Sequence, residues 1–341
     1  MIVSPTDCLL AIERILKAGL VPFIKGSPGT GKSNLMAQIA KMFELKLIDN
    51  RLSTADPTDL NGFPAHTQNS TRMGYLPPEG DLIPLAHDPI PQGFNGWLLF
   101  FDELTAADRG VQAASYKVML DRMVGKYHIH PNCLIAAAGN LDTDKAIVNK
   151  MSTAMQSRLV HLTLEVSNED WQQYALDQDY DYRIRAFLKW RKPLLQNFKP
   201  DHTDDTFACP RTWEFASKLI KNRLKLDSID TAVLIGTLGN GPAIEFKSFT
   251  DIFERLPSYE EIANNPLKVD IPNEPSILHA LAALIAHEDH LKTIDKVMPF
   301  IERLPVEFQV WALRDAIRKD ASILNNPAVD AWKIKFADRL Y

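Results

Sequence analysis

The 341-residue sequence is poor in cysteine and has no long apolar run. Its three cysteines, Cys8, Cys133 and Cys209, are far apart and form no C-x-x-C pair. This distribution provides neither a disulfide framework nor a zinc site, and it is typical of a reducing compartment. No apolar run approaches the roughly 18 residues that a membrane span requires, and the N-terminus lacks the pattern of a signal peptide. We therefore expect a cytoplasmic protein without a membrane segment.

An excess of positive charge is also absent. The chain has 38 Lys and Arg against 43 Asp and Glu, a net charge of −5. This balance argues against a protein whose main task is to coat nucleic acid or an anionic membrane, although a local basic groove stays open. The apolar fraction of 45% and the charged fraction of 24% are those of an ordinary globular protein, long enough for two or three domains.

Glycine is scarce as well, but three of the 15 glycines fall within the stretch GSPGTGKS at residues 26–33. The stretch matches G-x-x-x-x-G-K-[ST] at every fixed position, between an apolar run at residues 20–24 and a helical pattern at residues 34–43. Glycines let the backbone N–H groups turn inward around phosphate oxygens at a helix N-terminus. Lys32 would reach the β- and γ-phosphates, and the Ser33 hydroxyl would bind Mg²⁺. We predict a binding loop for ATP whose contacts are Gly26, Ser27, Pro28, Gly29, Thr30, Gly31, Lys32, Ser33 and Asn34.

Acidic residues follow a second apolar run, WLLFF at residues 97–101, which predicts a strand buried on both faces of a parallel sheet. Because ligands of such sheets sit beyond the carboxyl ends of the strands, Asp102 and Glu103 should lie beside the glycine loop. We predict that Asp102 binds the nucleotide's Mg²⁺ together with Ser33, and that Glu103 polarises the attacking water. Asn140 ends the next apolar strand, at residues 134–138, and its amide would position that water. The alternatives are an acidic N-cap pair and a turn asparagine.

The two halves of the chain differ in pattern. Strands predicted at residues 45–51 and 159–166 join those above in an α/β half, with a helix at 106–119 between them. Residues 56–63 read as a turn, 65–75 as a surface hairpin with a polar tip at 67–71, and 123–130 as a hairpin arm. After residue 167 only helices are predicted, at 169–178, 182–190, 211–222, 229–238, 277–285, 294–304 and 308–317, with a break at 239–242. This contrast predicts a domain boundary near residue 166.

The three motifs in this order resemble the AAA+ ATPases, and finer detail resembles their MoxR-like branch. That detail is DPTDLNG at residues 56–62 before the hairpin insert, AAAGN with MSTAMQSRLVHL after it, and CPRTWEFA at residues 209–216. The resemblance implies an α/β P-loop NTPase core with a parallel sheet over residues 1–166, with its insert near 63–76. It also implies a helical lid at 167–249. Residues 250–341 would be a helical extension, resembling the tails of MoxR-like proteins encoded by phages.

The resemblance also assigns three arginines. Arg158 matches the arginine finger that reaches into the site of the neighbouring subunit, and Arg211 matches the sensor 2 arginine of the lid. Arg109 is a further candidate for the subunit interface. From the residues alone, Arg158 and Arg211 could equally be surface ion-pair residues.

The family's assembly would be a ring, most often a hexamer, that hydrolyses ATP between subunits and remodels a protein client. A partner with a von Willebrand factor A domain is expected, in the cytoplasm of a bacterium or of a phage-infected host. We expect no nucleic-acid partner. Two alternatives stay open: a nucleotide-gated scaffold with negligible turnover, and a DNA-directed AAA+ motor or loader.

Two further patterns carry no function in this interpretation. His128 and His130, predicted on one face of a hairpin strand, lack a third metal ligand. The basic residues Lys218, Lys221, Arg223 and Lys225 complement a helix dipole. The linker at residues 77–96 has more prolines than the MoxR pattern leads us to expect.

Overall fold

The computed structural model describes residues 2–66, 73–144, 149–287 and 293–336. The chain forms two compact units. The first comprises residues 1–167 and 199–202, and the second comprises residues 168–198 and 203–341. The predicted hairpin tip at residues 67–71 lies outside the described ranges. Among the described residues, no helix combines the length and apolar character that a membrane span requires.

The first unit is built on a parallel sheet of six strands. In chain order they are β1 (Ile2–Val3), β2 (Val21–Lys25), β3 (Leu45–Arg51), β6 (Gly96–Asp102), β9 (Cys133–Gly139) and β10 (Leu159–Leu164). Their spatial order is β1-β10-β2-β9-β6-β3, and every neighbouring pair is parallel. The strand before the glycine loop, β2, therefore lies inside the sheet, beside β9 and one strand away from β6.

Both faces of this sheet are covered, which explains the unbroken apolar run of β6. Alternate side chains of a strand point to opposite faces, so Leu98 and Phe100 pack with α1 (Pro5–Lys17) and α2 (Lys32–Met42). Their neighbours Leu99 and Phe101 pack in a second cluster on the other face. All four side chains are fully buried. Burying each contributes about 1.5–3 kcal/mol.

The remaining elements of the first unit lie around the sheet. They are α3 (Pro57–Asn61), the hairpin β4 (Phe63–His66) and β5 (Met73–Leu76), α4 (Arg109–Tyr116), a π-helical turn at Lys117–Asp121, the hairpin β7 (Met123–Val124) and β8 (Tyr127–His128), and α5 (Thr153–Gln156). Helix α1 begins at an N-cap, since the Ser4 hydroxyl accepts a hydrogen bond from the Asp7 N–H at 3.2 Å.

In the described part of the second unit, every regular element is a helix. Its α-helices are α6 (Asn168–Asp177), α7 (Tyr182–Trp190), α8 (Pro210–Ile220), α9 (Ser228–Leu238), α10 (Asn240–Phe253), α11 (Tyr259–Asn264), α12 (Pro275–Ile285), α13 (Ile294–Ile301), α14 (Val306–Lys319) and α15 (Pro327–Phe336). Helices α11 to α15 share one apolar core, in which Trp332 and Phe300 are buried. Near α7, Phe187 contacts the rings of Trp213 and Phe246.

Four local predictions differ from the structure. Residues 57–61 form α3 rather than a turn, because Asp56 and Asp59 make a capping box and Pro57 occupies its first position. The predicted hairpin arm at 123–130 holds both arms, β7 and β8, so His128 is in a strand and His130 is not.

The other two differences concern where helices begin. Instead of the break predicted at residues 239–242, only Gly239 separates α9 from α10. Pro242 lies in the first turn of α10, where a backbone N–H would have no partner within the helix, so proline is tolerated there. The helix predicted at 106–119 begins only at Arg109 and continues as the π-helical turn.

Candidate active site

The phosphate loop connects β2 to α2 at the carboxyl edge of the sheet. Gly29 has φ +75° and Gly31 has φ +94°, a left-handed region that residues with a Cβ rarely adopt. Within the loop, the Thr30 hydroxyl donates to the Ser27 carbonyl at 2.9 Å. The loop thus ends directly at the N-terminus of an 11-residue helix, where the backbone N–H groups and the helix dipole favour an anion.

Lys32 is buried beneath this loop, with 9% of its surface exposed. Its ammonium donates to the carbonyls of Gly26 at 2.6 Å and Ser27 at 3.1 Å, and to the Asn140 amide oxygen at 3.2 Å. These three acceptors are neutral oxygen atoms. The ammonium can therefore exchange these oxygens for those of an anionic ligand at little cost in hydrogen bonds.

Ser33 and Asp102 meet at the first turn of α2. The Ser33 hydroxyl donates to the carboxylate of Asp102 at 2.8 Å, across 69 residues of sequence. Asp102 is 7% exposed, and its other oxygen accepts the Glu103 N–H at 2.8 Å. Mg²⁺ prefers hard oxygen ligands and is bound in proteins through one or two carboxylates beside phosphate oxygens. The chemistry of this hydroxyl–carboxylate pair therefore fits such an ion.

Glu103 has an unusual backbone. Its φ is +57°, a conformation that costs free energy in a residue with a Cβ. Residues held in such conformations are concentrated at functional sites. The turn directs the carboxylate to the hydroxyl of Ser53, which donates to it. Ser53 lies in the helical turn Leu52–Thr54 that follows β3. Asp49 lies on β3, the strand before this turn. Partial burial and the charge of Asp102 raise the pKa of the Asp49 carboxyl.

Asn140 is positioned by a residue that the motifs did not include. The Thr105 hydroxyl accepts the Asn140 N–H at 3.0 Å, and it lies over Gly139. A Cβ on Gly139 would come within 2.7 Å of the Thr105 side chain, so the close approach requires glycine. Thr105 thereby holds the end of β9 in the place from which the Asn140 side chain accepts the Lys32 hydrogen bond.

Asp144 lies behind the loop and was not predicted either. It is 8% exposed, and one carboxylate oxygen accepts the Ser27 hydroxyl at 3.3 Å. Its other oxygen, Oδ2, is buried and has no hydrogen-bond partner among the residues that the structure describes. A buried carboxylate with one long hydrogen bond is costly, and such groups call for a functional explanation.

The other predicted site residues do not join this group in the structure. Asn34 is exposed and accepts from Gln38 at 2.7 Å. Arg109 is an exposed first residue of α4. Arg158 is exposed after α5, and its guanidinium donates to the Ala154 carbonyl at 2.9 Å. Arg211 is exposed near the start of α8 in the second unit, and its role stays a prediction.

The contacts of Ser53, Thr105 and Asp144 could not have been found from the motifs. Their partners are 35 to 117 residues away in sequence. Ser53 and Asp144 follow strands β3 and β9, so a search of all strand ends for polar residues would have selected them. Among the described residues, no group of three or more His, Cys, Asp or Glu is arranged to hold a metal ion.

Comparison with known proteins gives structural likenesses only. No protein-family model matches the sequence, and no curated protein matches it. Similar solved structures include a candidate ATPase from Cytophaga hutchinsonii, with 14% identity over 89% of this chain and 79% of that one, at a TM-score of 0.34. NtrX from Brucella abortus has 13% identity over 92% of this chain and 66% of that one, at 0.40. A point mutant of Thermotoga maritima RuvB has 16% identity over 84% of this chain and 73% of that one, at a TM-score of 0.34.

Because these TM-scores lie below 0.5, the superpositions do not bear on the function of this chain. The sheet and the loop define the class of the fold without them. A parallel sheet with a glycine loop between an inner strand and the helix after it, followed by an all-helical region, is an α/β P-loop NTPase core with a helical C-terminal region.

Proposed function

We propose that this chain is an AAA+ ATPase of the MoxR-like branch that hydrolyses ATP to ADP and phosphate. The observation that carries the proposal is the junction of three strand ends at the phosphate loop. Lys32 donates to Asn140 after β9, and Ser33 donates to Asp102 at the end of β6. Phosphoryl transfer requires a cation on the phosphates, a metal site and a group that orients water, and this junction offers a candidate for each.

Each residue of the junction has a distinct role in the proposed reaction. The loop N–H groups and the Lys32 ammonium bind the phosphates, and Ser33 and Asp102 hold Mg²⁺. The metal ion would neutralise the charge that develops on the phosphates. Glu103 orients and polarises the attacking water, and the Asn140 amide positions it. Release of Lys32 from the carbonyls of Gly26 and Ser27 accompanies binding.

The remaining parts of the proposal concern assembly. Arg158 is exposed on the first unit, where an arginine finger acting on the next subunit would have to be. We therefore propose a ring, most often a hexamer in this branch, in which Arg158 acts in trans and Arg211 of the helical lid acts in cis. Hydrolysis would remodel a protein client, with the help of a partner that carries a von Willebrand factor A domain.

A second candidate is a nucleotide-gated scaffold with negligible turnover. The hydrogen bond from Ser53 to Glu103 favours it, because a carboxylate engaged by a hydroxyl is a weaker acceptor for the proton of water. A DNA-directed motor is the third candidate, and no residue contact favours it.

Steady-state ATP turnover of the full chain tests the proposal. We expect hydrolysis that does not depend on DNA, and we expect Glu103→Gln to lower kcat by about 10²–10⁴ while the Kd for ATP stays within about threefold. Glu165→Gln, which removes an exposed carboxylate after β10, is the matched control. Near-parental turnover in Glu103→Gln would reject Glu103 as the water-activating group. No turnover in the parent, with ATP bound, would favour the scaffold, and stimulation by DNA would favour the motor.

A further inference from the structure

A polar pocket of about 620 Å³ lies in the first unit, and its lining includes no residue of the phosphate loop at residues 26–33. Its volume is in the range of small-molecule sites, but its lining is more polar than is usual for them. Seven of its eight lining residues are polar: Lys25, Thr105, Asp142, Asn149, Lys150, Gln156 and His161.

The charges around this cavity do not balance. Lys25 and Lys150 contribute two ammonium groups, and His161 adds a third basic group, against the single carboxylate of Asp142. Within the described ranges, no ion pair within 4.0 Å involves Lys25 or Lys150. The intervening sequence at residues 145–148, Lys-Ala-Ile-Val, contains no acid. Lys25 is partly buried and Lys150 is exposed. An anion in the pocket would therefore be attracted by both ammonium groups.

The neutral walls of the cavity are held by hydrogen bonds. Asn149 donates its N–H to the Thr105 carbonyl at 2.7 Å and its side-chain amide to the Ala107 carbonyl at 2.9 Å. The Gln156 side-chain amide donates to the Met151 carbonyl at 3.0 Å, and the Gln156 backbone carbonyl lies 2.8 Å from His161 Nε2. These hydrogen bonds hold the neutral side chains in place, whereas a lysine ammonium lies on a flexible four-carbon side chain. Lys25 and Lys150 can therefore change conformation to contact an anion.

We propose that this cavity binds a small tetrahedral oxyanion, such as inorganic phosphate or sulfate, between Lys25 and Lys150. The site is separate from the phosphate loop, although it is connected to it. Lys25 directly precedes Gly26, Thr105 accepts the Asn140 N–H, and Gln156 is two residues before Arg158. On the proposed ATPase function rests one consequence: an oxyanion here would contact the residues that position the proposed catalytic groups and would change the rate of hydrolysis.

Crystals of the full chain soaked in selenate, which has the shape of sulfate and scatters anomalously, test the site directly. We expect an anomalous peak within hydrogen-bonding distance of the Lys25 and Lys150 ammonium groups, whether or not a second peak occupies the phosphate loop. The peak should vanish in Lys150→Met and persist in Lys41→Met, which removes an exposed lysine from α2. A peak in the phosphate loop alone, or none, would overturn the proposal.

Thermal unfolding in solution provides a second measurement, independent of hydrolysis. Two separate measurements exclude a contribution from the phosphate loop. One uses the chain saturated with MgADP, and the other uses the Lys32→Ala variant. Sodium sulfate should raise the melting temperature by about 3 °C over sodium chloride of equal ionic strength. Lys25→Met and Lys150→Met should each remove most of this difference, and Lys41→Met should not. An equal rise in all variants would show that sulfate acts through the solvent and would contradict a site.

Discussion

The two units treat buried charge differently. In the second unit, buried arginines pair with carboxylates: the Arg183 guanidinium lies 2.7 Å from the Asp181 carboxylate, and Arg185 lies 2.5 Å from the partly buried Asp315. In the first unit, the buried Asp102 carboxylate accepts hydrogen bonds from a hydroxyl and a backbone N–H, and the buried Lys32 ammonium donates to two carbonyls and an amide. A buried ion pair neutralises both of its charges, whereas a carboxylate such as Asp102 that accepts from neutral groups keeps its charge for a cation.

This difference separates charges that maintain a fold from charges that await a ligand. Removing one member of a pair leaves its partner buried and unpaired, so the cost falls on stability. Removing a charge that is hydrogen-bonded to neutral groups leaves no charged partner behind, so the main loss is in ligand affinity. Single substitutions should therefore differ widely in the size of their effect and in whether binding or stability changes.

The largest effect on nucleotide affinity is expected for Lys32→Ala, which removes the buried ammonium of the phosphate loop. Calorimetry should detect no ATP or ADP binding, a loss of at least about 10²-fold, because the phosphates lose their charged hydrogen-bond donor. The melting temperature should fall little. Lys41→Ala, on an exposed position of the same helix, is the control. Unchanged affinity together with a large loss of stability would place Lys32 with the structural charges and break the comparison.

Arg158→Ala tests an exposed charge of the first unit. Because its guanidinium donates to a carbonyl of the adjacent helix α5, we expect near-parental stability and nucleotide affinity, with kcat lowered by about 10³. Mixing with Lys32→Ala subunits, which keep Arg158, should restore part of the activity. Arg14→Ala, an exposed arginine of α1, serves as the control. Failure of the mixture to recover any turnover would count against action in trans.

Arg183→Met breaks a closed pair in the second unit. Its guanidinium also donates to the carbonyls of Ile220 and Arg223, so removal leaves these oxygens and Asp181 without their donor. Chemical denaturation should show a loss of about 3–5 kcal/mol in the free energy of unfolding. ATP affinity of the folded protein should not change.

The double variant Asp181→Asn with Arg183→Met should recover part of this loss, because no carboxylate is then left unpaired. Arg255→Met, at an exposed position, should cost less than about 0.5 kcal/mol. A loss for Arg183→Met no larger than for this control would remove the contrast between the units.

The smallest effect is expected for Asp144→Asn. This buried carboxylate contacts Ser27 of the phosphate loop, where it opposes the approach of phosphates. The variant should bind ADP about tenfold more tightly, a gain of about 1.4 kcal/mol that shrinks as salt is added. Asp142→Asn, exposed two residues earlier, should change the affinity less than about twofold. Weaker binding in Asp144→Asn would mean that the carboxylate supports the loop through its hydrogen bond.

The elements that were predictable from sequence are those with local signals. The strand at Leu45–Arg51 and the helix at Tyr182–Trp190 have the predicted bounds, because apolar periodicity and flanking turns mark their ends. The helix at Pro57–Asn61 also has a local signal, because D-P-T-D is a capping box followed by proline at the first helical position. Pro242 does not interrupt the chain's helical structure either, since it lies in the first turn of α10.

Contacts between distant strand ends could not be predicted in the same way. The motifs indicate which residues follow the strands, but the order β2-β9-β6-β3 decides which of them meet. The Thr105 support of Asn140 and the Ser53 contact of Glu103 arise from this order and from backbone turns that leave no pattern in composition. Arg211 belongs to the second unit, and its role as a sensor arginine stays a prediction.

The left-handed backbone of Glu103 has a consequence for how this chain would evolve. Glycine adopts a φ of +57° without the cost of about 1–2 kcal/mol that a Cβ incurs. Glu103→Gly would therefore gain stability there while losing the carboxylate. A library selected for heat resistance alone should enrich glycine at position 103, and a library selected for ATP hydrolysis should retain glutamate. If the proposed role is correct, opposite enrichment in the two selections would identify position 103 as one where the chain gives up stability to keep its chemistry.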